Sequence, residues 1–265
     1  MMERTYWNWN VLARGLLGIF LACWLGVAAG AEVGKIVLAV GDARMDGKVL
    51  KEGDAIPEGA ELSTGADGYL YLKTVDNGFL ILRPGSVATV VAYHVDEADP
   101  KKSRFRFSLQ QGVARSISGD AVGKARKNFR FNTPVAAIGV RGTDFSIYAD
   151  AQETRVVVLS GGVVVSGFDA SCQPQGGGPC EGAGSKELFA GTPGILQIQK
   201  GDVPQIVEDK ALSPDFVVPP RHDEPAIFGL DGNKVDHKAD KPQTVAVTDQ
   251  ESVNLDPLKQ SQLQP

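Results

Sequence analysis

The side chains able to do chemistry are few and scattered along the chain. Histidine, the usual general base near neutral pH, occurs only as His94, His222 and His237. The last two sit among prolines near the C-terminus, and His94 ends an apolar run, a place that fits a surface residue better than a base. No Gly-x-Ser-x-Gly elbow, HExxH pair or phosphate-cradling glycine loop is present. Asp54, Asp67, Asp76 and Asp144 lie beside glycines or in turn positions, where aspartate caps the backbone locally. A wound β fold can bring distant carboxylates together, as in polysaccharide-cleaving enzymes, but no spacing here selects that chemistry. The expectation is a non-enzymatic protein without cofactor or metal.

Two other sets of residues carry potential chemistry. Cys172 and Cys180 enclose Gln173-Pro-Gln-Gly-Gly-Gly-Pro179, a loop with no means of building its own core. In an oxidising compartment a disulfide would close it. A metal or redox pair is the alternative, and neither a neighbouring histidine nor a CxxC spacing supports it. The second set is basic. Between Lys101 and Arg130 lie Lys101, Lys102, Arg104, Arg106, Arg115, Lys124, Arg126, Lys127 and Arg130, against Asp120 alone, in a chain of net charge −5. Such a strip attracts anionic glycans, lipid headgroups or an acidic protein surface. Lys101, Lys102, Arg104, Arg106, Lys124, Arg126 and Lys127 are the candidate binding residues. Charge reversal at Arg126 and Lys127 is expected to weaken a salt-sensitive interaction. The plainer reading makes Arg104 and Arg106 outward residues of one strand and Lys124–Lys127 a solvated loop. A sequence pI near 5.3 gives no support for nucleic-acid binding.

The elements that position these residues read as strands. Arg104-Phe-Arg-Phe-Ser-Leu109 alternates polar and apolar, which sends Phe105, Phe107 and Leu109 inward. Tyr69–Lys73 and Phe79–Arg83 flank Asp76-Asn77-Gly78, a hairpin signal because Asn-Gly accepts positive φ. Arg155–Leu159 and Val163–Val165 flank a second hairpin turn at Ser160-Gly161-Gly162. No sustained i, i+3, i+4 apolar stripe occurs between Val33 and Lys200, so the expectation is one all-β domain. It is either a two-sheet sandwich or a solenoid-like β-roll, and no fixed repeat period marks a regular solenoid.

The organising stretch is Phe129–Tyr148. Thr133-Pro134 ends the strand Phe129–Asn132, because proline lacks an N–H. Ala136, Ile138 and Val140 then share one parity, while Phe145 and Ile147 share the other. A strand changes parity only through a bend or bulge, which places a corner at Arg141-Gly142-Thr143-Asp144. Gly139 and Gly142 suit that corner, and Arg141 is expected to tie carbonyls or Asp144 together there. Structural use of this motif is weighed above an exposed ligand contact.

Thr133-Pro-Val-Ala-Ala-Ile-Gly-Val-Arg-Gly-Thr-Asp-Phe145 resembles the signature of the FecR-like domain, a bacterial envelope module. Gly53-Asp54, Leu62-Ser-Thr-Gly65, Asp76-Asn-Gly78 and Leu82-Arg-Pro-Gly-Ser86 match the pattern upstream, and Val156–Val165 with Leu188–Ile198 resemble its closing strands. The resemblance covers roughly Gly34 to Lys200 and implies a β-roll or solenoid-like winding. Founding proteins of the family relay a signal across the inner membrane through a cytoplasmic anti-sigma segment, one transmembrane helix and a periplasmic portion. With fewer than twenty residues ahead of the apolar run, this chain is read as lacking that cytoplasmic segment.

Residues 1–31 read as a signal peptide. Arg4 and Arg14 precede the apolar run Leu16–Ala29, and Ala29-Gly30-Ala31 supplies a small-residue cleavage pattern before Glu32. The run falls short of the ~20 residues that span a bilayer, so a retained inner-membrane anchor is the alternative. Residues 32–200 form the β domain. Residues 201–265 read as a Pro-rich, mostly disordered tail, with Pro214–Pro220 able to lie as an edge strand. The leading expectation is therefore a periplasmic or secreted module that binds or scaffolds an envelope protein or anionic glycan. The alternatives are a membrane-anchored sensor or regulator in a signalling pathway and, more remotely, polysaccharide cleavage.

Overall fold

The computed structural model describes residues 30–225. The signal-segment reading and everything after Pro225 lie outside the described residues. Seventeen strands follow one another. They are β1 (Glu32–Val40), β2 (Ala43–Met45), β3 (Lys48–Val49), β4 (Ala55–Pro57), β5 (Glu61–Thr64), β6 (Tyr69–Thr74), β7 (Phe79–Leu82) and β8 (Val87–His94). Then come β9 (Arg104–Ile117), β10 (Phe129–Asn132), β11 (Ala136–Val140), β12 (Asp144–Ala149), β13 (Glu153–Ser160), β14 (Gly162–Gly167), β15 (Ser185–Phe189), β16 (Ile195–Gln199) and β17 (Gln205–Val207). Two short helices, α1 (Asp120–Lys124) and α2 (Pro214–Val217), complete the list of regular elements used below. Among the described residues no helix is long and apolar enough to cross a membrane.

The strands form two wings that share β9. One wing runs β4-β1-β6-β7-β9-β12-β13-β16-β17 and the other β3-β2-β5-β8-β9-β10-β11-β14-β15. The first half of β9 pairs with β8 and β10, and its second half pairs with β7 and β12. The strand turns from one wing to the other near Gly112, whose φ is 93°. Every ladder is antiparallel except β9–β10. The chain passes back and forth between the wings, which reconciles the two architectures left open by the sequence: a two-layer core made by winding.

The core lies between the wings. Phe105, Phe107 and Leu109 are buried in it, as the alternation of β9 requires. Phe107 meets Tyr93, Phe129 and Phe131 with ring centroids 5.4, 6.3 and 5.8 Å away, and Phe131 meets Phe145 edge-on at 6.1 Å. Burying each such ring contributes about 1.5–3 kcal/mol. This aromatic column joins β8, β9, β10 and β12, so it holds both wings together.

The parity change occurs where the sequence places it. Ala136, Ile138 and Val140 face the core from β11, and Phe145, Ile147 and Ala149 face it from β12. Between them the chain leaves the second wing and enters the first. Gly142 takes φ 74° at that corner, a left-handed angle that disfavours any Cβ. Gly139 serves a different purpose from the one expected. It lies inside β11, and a Cβ there would meet Cβ of Pro179 at 2.4 Å, so its role is to admit the Cys172–Cys180 loop against the sheet. Thr133 closes the β10–β11 turn by accepting the Ala136 N–H at 3.0 Å on its hydroxyl, while its own N–H donates to the Ala136 carbonyl at 2.9 Å.

The boundary expected at Lys200 moves outward. β17 extends the first wing, and residues up to Pro225 continue across it. The stretch expected as an edge strand, Pro214–Pro220, begins instead with helix α2: Pro214 occupies the first turn, where a missing N–H costs nothing.

Candidate functional site

The basic residues do not form one strip. Lys101, Lys102, Arg104, Arg106 and Lys127 line a groove of about 680 Å³, together with Ser103, Asn128, Gly177 and Gly178. None of these lining residues is acidic; the Asp99 carboxylate lies 3.6 Å from the Lys102 ammonium at the rim. Lys124 and Arg126 lie off this groove. α1 carries Lys124 to a separate acidic hollow, and the Arg126 side chain donates to the Gly123 carbonyl at 3.2 Å. Arg115 and Arg130 are buried, at 4% and 2% exposure, and so are not part of any open surface.

The groove has a built floor. Asn128 donates to the carbonyls of Lys101 at 2.9 Å and Ser103 at 2.7 Å, which fixes the segment before β9 against the segment before β10. β9 and β10 run parallel, and their register sets Arg106 directly beside Arg130. Like charges in that position repel. Their answer is the loop closed by the Cys172–Cys180 disulfide, whose Cα atoms lie 5.7 Å apart. Arg106 donates to the Gln175 carbonyl at 3.2 Å, Asn132 donates to the Pro174 carbonyl at 2.7 Å, and the Arg130 guanidinium lies 3.1 and 2.6 Å from the two sulfurs. Among the described residues no carboxylate pairs with Arg130, and its Nε has no partner. Burial, and then Arg106, hold its guanidinium below the usual arginine pKa. The loop therefore supplies dipoles rather than counter-charge, and its glycines 177 and 178 wall the groove.

The corner motif is mostly structural. Thr143 donates its hydroxyl proton to the Gly162 carbonyl at 2.5 Å and accepts the Arg141 N–H at 3.1 Å. The Arg141 side chain does not reach Asp144. It extends over the surface to Glu187 and, at 3.6 Å, to Glu181. Pro134 is exposed at its turn, and Phe145 is buried in the core.

Asp144 belongs to a cluster that the sequence did not reveal. On the outer face of the first wing, Arg115 grips Asp144 with two parallel bonds of 2.8 and 2.6 Å. Burial pushes the Asp144 carboxyl upward, and the Arg115 fork pulls against it. Beside them lies Arg83, 1% exposed. Residues 210–225 cross this face as a strap. Arg83 donates to Glu224 at 2.9 and 3.2 Å, to Asp215 at 2.7 Å and to the Val218 carbonyl at 2.9 Å. Arg115 adds bonds to Glu224 at 3.1 Å and the Pro225 carbonyl at 3.0 Å. Further along, the Tyr71 hydroxyl donates to Asp223 at 3.0 Å, and Arg155 donates to the Leu212 carbonyl at 3.0 Å.

The model of the family described as FecR protein matches residues 60–164. Two crystal structures of a candidate anti-sigma factor from Parabacteroides distasonis, at 1.65 and 2.50 Å resolution, each align with 16% identity and a TM-score of 0.37. Each alignment covers 57% of this chain and 61% of the solved chain, so less than two thirds of the solved protein is represented. No curated protein matches.

Proposed function

We propose, for a chain whose residues 60–164 match the FecR protein family model, that it acts as a non-enzymatic sensor or regulator of the bacterial cell envelope and works by contact with an acidic partner protein. The FecR domain favours this regulatory reading over the scaffold or glycan-binding module expected first. The observation that carries the contact is the groove: five cationic side chains on a rigid floor, with no carboxylate among the lining residues. A structural cluster of that density is normally neutralised from within, as Arg115 is by Asp144 on the other wing. Here the neutralising charge comes from outside.

A photo-crosslinking residue at Lys101, an exposed lining residue whose backbone carbonyl is kept, tests this in the native envelope. The expected result is a protein adduct that fades in high salt and disappears in the Lys102→Glu, Lys127→Glu double variant. The same variant should reproduce the gene-expression profile of a strain lacking the protein. Arg126→Glu, off the groove, should leave the adduct in place. Adducts to glycan alone would return the scaffold reading. An adduct indifferent to charge reversal would remove the groove from the mechanism.

A further inference from the structure

The strap poses a different question from the groove, because it covers a cationic site that the domain itself leaves half answered. Arg115 has a counterion inside the FecR domain, Asp144. Arg83 has none there: its four side-chain bonds go to Asp215, Val218 and Glu224, all in the strap. Glu224 bridges both guanidinium groups, and Tyr71 adds a third donor to the neighbouring Asp223. Ile81 and Val113, fully buried, share the outward parity of Arg83 and Arg115 and supply an apolar floor. The arrangement has the parts of a peptide site: a planar fork for a carboxylate, a second donor for the same carboxylate and a flat apolar bed.

The way the strap is held also fits an occupant rather than a core element. Its bulky side chains Phe216 and Val217 are 69% and 43% exposed, and only Pro214 of α2 is buried. Its hold on the domain is thus mainly ionic and hydrogen-bonded. Segments of this kind open at low free-energy cost compared with packed strands.

We propose that Arg83, Arg115 and Tyr71 form a receptor for an acidic peptide, occupied in this structure by the chain's own residues 213–225, and that a partner's acidic segment binds by displacing them. The strap is then a tethered competitor, acting at high effective concentration. This site is separate from the basic groove, and either reading stands if the other fails.

The test uses the full chain and a labelled peptide of Ser213–Pro225. Wild-type protein should bind the peptide weakly, because its own strap competes. A full-length Asp215→Asn, Glu224→Gln variant, its strap loosened, should bind about tenfold or more tightly by fluorescence anisotropy. Adding Arg83→Gln to that variant should abolish the binding. Equal binding by wild type and the loosened variant, or binding that survives Arg83→Gln, overturns the proposal. Because the loosened variant is able to unfold, a second readout uses unaltered protein. Excess peptide should accelerate hydrogen exchange at the Val217 and Val218 amides and leave the β9 amides protected. No acceleration at saturating peptide, or a loosened variant that loses its β-sheet circular dichroism, identifies the strap as a fixed part of the fold and ends the proposal.

Discussion

Two sets of arginines stand on the outer faces of the two wings, and they differ in what answers their charge. On the first wing Arg83 and Arg115 are buried, and every guanidinium direction described above ends on a carboxylate or a carbonyl. On the second wing Arg106 and Arg130 lie side by side, with carbonyls and sulfurs for company and open lysines around them. Among the described residues the first set is closed electrostatically and the second is left open. Residue type alone does not separate the two. What separates them is whether a segment distant in sequence returns with negative charge: residues 215–224 do so on the first wing, whereas the 172–180 loop brings none to the second.

That contrast makes its largest prediction at Asp144. Truncating it to alanine leaves Arg115 buried without its two-pronged partner, and removing one member of a buried pair costs about 3–5 kcal/mol. Urea denaturation of Asp144→Ala should show that loss, and the Arg115→Met, Asp144→Leu double variant should recover most of it. A loss below ~1 kcal/mol, the level of an exposed ion pair, would mean that the pair is solvated and the contrast with the groove is false.

The second wing predicts a smaller and differently placed effect. Replacing Cys172 and Cys180 with serine removes the closure of the loop, which is worth about 2–3 kcal/mol for a ring of this size. The groove also loses a wall, since Gly177 and Gly178 belong to that loop. Crosslinking at Lys101 should therefore fall together with thermal stability, whereas hydrogen exchange in the strap should not change. If the strap loosened as well, the two sites would be coupled and the separation drawn between them would collapse.

Much of the frame was legible in the sequence because it rests on local rules. Asn77 does take positive φ, at 66°, in the β6–β7 turn, and the corner at Gly142 follows from counting parity. The strap was not legible. Its prolines and scarcity of aromatics read as an unstructured tail, because what orders it is a set of ion pairs 109 to 141 residues distant in sequence. Arg115, one of the basic residues between Lys101 and Arg130, and Arg83 do not declare themselves a buried pair for a related reason: an arginine at an outward strand position looks solvated until something covers it. The groove was half legible. Lys101, Lys102, Arg104, Arg106 and Lys127 were predicted and converge, but a five-residue helix that no apolar stripe announces turns Lys124 away, and Arg126 follows it. Arg130 gave no outward sign of being a buried cation under a disulfide loop.

The smallest effect is a pH dependence confined to the strap. Asp223 sits between Arg221, which donates to it at 2.9 Å, and the Tyr71 hydroxyl at 3.0 Å. These partners, Arg221 first, hold its carboxyl down at about 2. In the unfolded chain an aspartate titrates near ~3.9; Arg221 travels with the strap, so only the share of the shift due to Tyr71 bears on the strap's attachment. A carboxylate with a depressed pKa in the folded state favours that state fully above the unfolded value and loses its contribution as pH falls through the folded one. The strap's hold should therefore be constant above about pH 4 and weaken between about pH 4 and 2. Hydrogen exchange at Val217 and Val218 across that window should accelerate relative to β9 amides. Asp223→Asn should abolish this part of the pH dependence while leaving the Arg83–Glu224 bonds formed. A strap whose exchange follows the whole domain at every pH would show that it opens only when the protein unfolds, and the first wing would then have no site to uncover.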